Sequence, residues 1–272
     1  MTRTFPLSLL VATAFGGAAP LAHALTLGVT EGLTYRATDQ EIQARFEPIA
    51  SHLAAAIKQP VEIKVLGSYK ALRQALAQRQ LDVAFVHPAH VALEATKAGQ
   101  YATLAWTRGY TDYRVSFLCK QAQPTLDWAA LKDKKLVTTD PDSITAVIAR
   151  AMLREHGLAP GAPQLLTTRY QDAVPFYVQH AFADYGATAA KAVIQGWVGQ
   201  GGALCAQSRP VPIKQWIAST ALPSATSSGL RAALLGMPDT EAGRKALAAS
   251  AYLGFDAPKD GSEKDLIDWL GL

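Results

Sequence analysis

"VEIKVLGSYKALRQALAQRQLDVAFVHPAHVALEATKAG", residues 61–99, switches its periodicity three times within 39 residues. "VEIKVL" (61–66) is short and β-branched and predicts a strand. "YKALRQALAQRQ" (69–80) predicts a helix, and the apolar run "LDVAFV" (81–86) predicts another strand. A further helix begins near Pro88 and is ended by Gly99. Upstream, "LTLGV" (25–29) reads as a strand. A helix over 39–58 carries Ile42, Phe46, Ile49, Leu53 and Ile57 on one face, with Pro48 expected to kink or break it. Strand–helix–strand–helix–strand with short connections predicts a parallel sheet covered on both faces, with ligands at the carboxyl ends of its strands. "VHPAHV" (86–91) lies at such an end.

A second β/α block follows. "YRVSFLCK" (113–120), "KKLVTT" (134–139) and "GALCAQS" (202–208) predict strands. "DPDSITAVIARAMLREHGL" predicts a strand-to-helix turn and a helix closed by Gly157, whose buried stripe is Ile144, Val147, Ile148, Ala151 and Met152. "TEAGRKALAASAYLGF" predicts a late helix. No repeat, linker or low-complexity segment separates the blocks, so the reading is two α/β lobes that exchange strands.

Composition narrows the class. The 272 residues are 49% hydrophobic and 18% charged, enough for a sizeable core. Arg3, the apolar "LSLLVATAFGG" and the small–x–small "AHA" (22–24) read as an export signal cleaved near Ala24, which places the protein in the periplasm. Loss of Arg3 and no acid lowers the formal charge from +4 to +3. No basic run interleaves with aromatics, which argues against nucleic acid as a partner. Cys119 and Cys205 could pair in an oxidising compartment or remain two buried thiols.

Four places could carry chemistry. In "TTDPDSITAV", Asp142 or Ser143 caps a helix whose first turn holds Thr145; its N–H groups and hydroxyls could receive an anion, or the serine could simply cap. His87 and His90 could share a metal, line a pocket, or cap and pack. Glu31, Tyr35 and Arg36 after the first strand, and "RYQD" (169–172), also fall at cleft positions. Nucleophile-elbow, zincin, C-x-x-C and P-loop patterns do not occur, so no enzyme is expected; a catalytic reading would make His87 or His90 a general base.

In order along the chain, "LTLGV", "RFEPIASHLAAAIKQPVEIKVLGSYKALRQALAQRQLDVAFVHPAHV", "LKDKKLVTTDPDSITAV", "RYQDAV", "SRPVPIKQWIAS" and "TEAGRKAL" resemble the phosphonate/phosphite/phosphate-type periplasmic substrate-binding proteins of ABC importers. The resemblance implies the two-lobed type 2 periplasmic binding protein fold, each lobe a mostly parallel sheet flanked by helices with the ligand cleft between them, residues 25–112 and 206–272 forming lobe one and 113–205 lobe two. It implies a monomer without cofactors that closes on a small anionic ligand and delivers it to an ABC permease or a membrane sensor kinase. Ser143 and Thr145 would hold the oxyanion, with Ile144 between them where a hydroxyl residue is usual. Tyr69, His87, His90, Gln171 and Tyr35 would line the cleft. His87 and His90 depart from the small residues usual there, which leaves a metal, metalloid or metallo-cofactor as the alternative ligand. The acidic residue that meets an aminophosphonate's amine falls at or near Lys214, which argues against that ligand. The same fold would bring Cys119 and Cys205 to the hinge strands, where a disulfide would tether them.

Overall fold

The computed structural model describes residues 23–31, 37–121 and 126–272. The expected leader, apart from its last two residues, and the expected site residue Tyr35 lie outside them. Strands β1 (Leu25–Thr30), β2 (Val61–Val65) and β3 (Val83–Val86) are separated by helices α1 (Asp39–Ile57) and α2 (Tyr69–Ala77). β1 pairs in parallel with both β2 and β3, as such crossovers require. After α3 (Ala89–Lys97) comes β4 (Tyr101–Thr107), and the chain then leaves for the second sheet. It returns as β10 (Gln215–Ser219), followed by α7 (Ser224–Leu235), α8 (Glu241–Ser250), β11 (Phe255–Asp256) and α9 (Ser262–Leu270). The first sheet has the order β11-β4-β10-β3-β1-β2, and β10 runs antiparallel to both neighbours.

The second sheet uses β5 (Ser116–Cys119), β6 (Lys135–Thr138), β7 (Gln164–Thr167), β8 (Tyr185–Thr188) and β9 (Ala203–Gln207), in the order β7-β6-β8-β5-β9. Its helices are α4 (Ile144–Glu155), α5 (Val174–Gln179) and α6 (Lys191–Gly199). β6 is parallel to β7 and β8, while β5 is antiparallel to β8 and β9. Each sheet is thus parallel where βαβ units build it and antiparallel where the chain crosses between sheets, a mixed pattern rather than a mostly parallel one.

α1 runs unbroken through Pro48. Proline removes one hydrogen bond, at a cost of about 3 kcal/mol in a helix interior. Burial of Phe46, Ile49, Ala50 and Leu53 on the same helix offsets that cost, at about 1.5–3 kcal/mol per large side chain. Thr38 and Glu41 close the N-terminus as a capping box. The core below α1 is aromatic: Phe46, Phe85, Trp216 and Phe255 pack tilted or edge-to-face, with ring centroids 4.8–6.2 Å apart.

The two crossings pair with each other. Tyr113 and Val211 exchange both backbone hydrogen bonds, at 3.2 and 2.9 Å, and Ser208 N–H donates to the Val115 carbonyl at 2.8 Å. Cys119 and Cys205 form a disulfide with Cα atoms 6.0 Å apart. Its position differs from the expectation: it lies inside the second sheet, fastening edge strand β9 to β5, with the crossings at 108–115 and 208–214 beyond it. α9 packs against both α3 and α4, and its Leu266, Ile267 and Leu270 share a core with Leu93 of the first sheet's layer and Ile148 and Met152 of the second's.

Candidate functional site

β6 ends at Thr138, and the following turn delivers "TDPDS" to the start of α4. Ser143, not Asp142, is the cap: its backbone is extended (φ −72°, ψ 149°) and its Oγ accepts from the Ala146 N–H at 3.1 Å. The N–H groups of Ile144 and Thr145 come before any intrahelical acceptor can reach them, and the helix dipole adds positive potential there. Two hydroxyl pairs frame the same point. Thr139 Oγ1 and Ser143 Oγ are 2.6 Å apart, and Thr145 Oγ1 and the Tyr113 hydroxyl are 2.7 Å apart. Each pair owns two protons and spends one on its mutual bond, so each retains one to donate. Burial raises the Tyr113 phenol above its ordinary pKa and keeps it a donor.

Gln171 holds this arrangement in place. Its Oε1 accepts from Thr188 Oγ1 (2.8 Å), Ala189 N–H (2.7 Å) and Ala190 N–H (3.0 Å), which fixes the amide and turns Nε2 toward the Tyr113 hydroxyl at 3.5 Å.

The turn opens onto a cleft of about 560 Å³ between the sheets. Ser143, Ile144, Thr145, Thr139, Asp140 and Arg169–Asp172 line it from the second sheet's side. Tyr69, His87, Pro88 and Ile213 line it from the first, with Tyr113 at the crossing. Of the predicted wall residues described, Tyr69, His87, Ser143, Ile144, Thr145 and Gln171 meet here. His90 does not. It is 1% exposed on α3 and is not among the residues that line the cleft, with Arg73 Nη2 3.5 Å from its Nε2.

Both imidazoles are neutral near pH 7. Burial first, and the Lys214 charge second, hold His87 down at about 4; burial and then Arg73 hold His90 at about 3. His87 Nδ1 donates to the Ile213 carbonyl at 3.0 Å, which sets its tautomer and ring plane. Among the described residues no group of three His, Cys, Asp or Glu is placed to hold a metal.

Lys214 lies beneath the floor rather than in the cleft. It is 2% exposed, 3.4 Å from Glu31 Oε2 and 3.2 Å from the Tyr252 hydroxyl, and 4.3 Å from the Tyr110 ring centroid. Arg45 reaches the same Glu31 oxygen at 3.1 Å. Burial lowers the Lys214 pKa and the Glu31 charge pulls it back up. This buried network anchors the end of β1 to the start of β10.

Outside the cleft lining, Arg73 of α2 is held by Glu94 (2.8 Å) and reaches Asp142 of the anion turn at 3.4 Å. It is an ion pair from one sheet's layer to the other's. Pro88, Tyr113, Thr139, Asp140 and Ile213 are the lining residues that sequence reasoning did not name as site residues; the run "TTD" before α4 was the available signal for Thr139 and Asp140.

The family described as the ABC transporter, phosphonate, periplasmic substrate-binding protein matches residues 32–262. The chain belongs to that family. Its phosphonate-type binding-protein fold is shared with solved structures at low sequence identity. XAC2383 from Xanthomonas citri, bound to ATP, is 16% identical, with 91% of this chain and 96% of that one covered at a TM-score of 0.71. PhnD1 from Prochlorococcus marinus, in complex with methylphosphonate, is 13% identical over 90% and 96%, with a TM-score of 0.62. The binding-protein component PA3383 of an ABC phosphonate transporter from Pseudomonas aeruginosa is 14% identical over 90% and 85%, with a TM-score of 0.58. No curated protein sequence matches this phosphonate-type binding protein significantly. The two sheets and the cleft between them are thus the two-lobed fold of type 2 periplasmic binding proteins.

Proposed function

We propose that the protein captures a phosphorus oxyanion between its two lobes in the periplasm and hands it to an ABC permease. The observation that carries this is the α4 N-terminus opening onto the cleft, with Ser143 and Thr145 each in a hydroxyl pair that retains a proton for a ligand. Donors converge there from backbone and side chain, and charge-assisted hydrogen bonds to an oxyanion are about twice as strong as neutral ones. Phosphorus oxyanions as different as methylphosphonate and ATP accompany proteins of this fold, which supports the ligand class.

In this reading residues 1–24 are an export leader, and the mature chain acts as a monomer. Residues 25–112 and 206–272 form one lobe and 113–205 the other, closing about the paired crossings. His87 and Tyr69 form the opposing wall, Gln171 orients Tyr113, and His90 supports the wall from behind without touching ligand.

A thermal-shift panel of phosphate, phosphite and methylphosphonate tests the reading, because a ligand that binds only the folded state raises apparent stability. Calorimetry on Ser143→Ala combined with Thr145→Val should then show strongly weakened binding. Unchanged affinity in the double variant removes the anion turn from the account.

A further inference from the structure

A hydroxyl pair that retains one proton has two oxygens from which to give it, and which one gives decides what a ligand meets. For Thr145 and Tyr113 the order of protons is set from outside the pair, by Gln171. Its Oε1 accepts from Thr188 Oγ1 and from the Ala189 and Ala190 N–H groups at 2.7–3.0 Å. A backbone N–H can only donate, so the amide has one orientation, and its nitrogen is the atom 3.5 Å from the Tyr113 hydroxyl. That contact is long and adds little energy. Its polarity is what counts, because an amide nitrogen carries two donors and no acceptor.

The phenol therefore meets a donor on its Gln171 side and, 2.7 Å away, the Thr145 hydroxyl, which can accept. It is the more acidic of the two hydroxyls, and burial keeps it protonated. The arrangement that gives the phenol proton an acceptor runs from Gln171 N–H to Tyr113, and from Tyr113 O–H to Thr145. The Thr145 proton is left over for the cleft that both residues line. Bonds in such a directed chain polarise one another, by about 10–30% each, so Thr145 donates more strongly than an isolated threonine. Asp140, Asp172 and Arg169 line the same cleft, and their charges act on a bound anion whichever hydroxyl donates.

We propose, building on the oxyanion reading above, that Gln171 is a positioning residue that sets the direction of this chain, so that Thr145 and not Tyr113 hands the pair's remaining proton to the ligand. Tyr113 then acts through Thr145, and the ligand oxygen that Thr145 meets is an acceptor with no proton of its own. A carboxylate in place of the amide would reverse the chain. It would take the phenol proton, Thr145 would donate to Tyr113, and the pair would keep nothing for the ligand.

The test is calorimetry on the full chain at pH 8 and one ionic strength, with methylphosphonate, phosphite and phosphate as probes. Thr145→Val should cost about thirtyfold in affinity. Tyr113→Phe leaves Thr145 its proton and removes only the polarisation, so it should cost about threefold. Gln171→Glu is then measured in the parent and in the Tyr113→Phe background. Repulsion by the new carboxylate is common to both backgrounds, as are Asp140, Asp172 and Arg169, so these cancel in the comparison. Without the phenol there is no chain to reverse, and Gln171→Glu should cost about thirtyfold more in the parent than in the Tyr113→Phe background. Equal losses in the two backgrounds would overturn the inference and leave the oxyanion reading standing. Tyr113→Phe costing as much as Thr145→Val would also overturn it, by making the phenol the ligand's donor, and that comparison decides the matter even if the carboxylate variant does not fold. No probe binding to the parent would overturn both readings.

Discussion

Replacing Ser143 by aspartate separates folding from binding at a single atom. Ser143 Oγ accepts the Ala146 N–H at 3.1 Å and bonds Thr139 Oγ1 at 2.6 Å. An aspartate can accept from both, ranks with serine as a helix cap, and gains about 0.3–1 kcal/mol from the helix dipole. The urea midpoint of Ser143→Asp should therefore equal or exceed that of the parent. Binding should respond in the opposite direction. A carboxylate about 4 Å from a bound oxyanion, at an effective dielectric of about 20, repels it by about 4 kcal/mol per unit of ligand charge. That is a loss of about a thousandfold in affinity, partly relieved by added salt. Ser143→Asn keeps the cap without the charge and should stay within about tenfold of the parent. Isothermal calorimetry with methylphosphonate, beside urea unfolding followed by circular dichroism, reads both quantities. Parent-like affinity in Ser143→Asp refutes the placement of the oxyanion, and a fall in stability beyond about 1 kcal/mol refutes the capping geometry.

Three further outcomes follow from other parts of the molecule. His87 and His90 titrate at about 4 and about 3 when folded, against 6.5 unperturbed, so the unfolded chain binds more protons in that window. Stability should be complete above pH 6.5 and drain away as pH falls through about 4, and His90→Asn should flatten the slope of denaturation midpoint against pH. The disulfide closes 86 residues, so reducing it should cost about 4.6 kcal/mol on the loop-entropy relation; identical urea midpoints with and without dithiothreitol would contradict that. Asp142→Asn removes the Arg73 contact between lobes but leaves Arg73–Glu94, and a part-exposed pair is worth about 0.2–1 kcal/mol. Ligand release in stopped flow should quicken by no more than about fivefold, and the difference should vanish at high salt.

Much of this was legible in the chain because the β1–α1–β2–α2–β3 segment and α4 carry strong, unmixed periodicities. The harder elements fail that test for physical reasons. β8 is four residues long and contains Gly186, where an added Cβ would meet Val174 Cγ1 at 2.5 Å; close packing of α5 demands a residue that weakens the strand signal. β7 is half-exposed and shows no alternation. The His87/His90 spacing misled for a different reason. Residues three apart share a face only within a helix, and α3 starts at Ala89 after an extended Pro88, which leaves His87 at the end of a strand. Ser143 was readable as a cap because its partner is three residues away. The Thr145–Tyr113 pair spans 32 residues and a crossing between sheets, and no local pattern encodes it.

The position of β10 bears on how the chain assembles. It is hydrogen-bonded between β3 and β4, in the middle of the first sheet, yet arrives more than a hundred residues after either of them. Until residues 215–219 emerge, β3 and β4 each expose an unpaired edge. The second sheet, contiguous from Ser116 to Gln207, can already close on itself. Local contacts form faster than distant ones, so the order of folding should invert the order of synthesis: the later lobe first, the earlier lobe only once its central strand has returned. A chaperone that shields strand edges would find its longest-lived target in the N-terminal third of this chain.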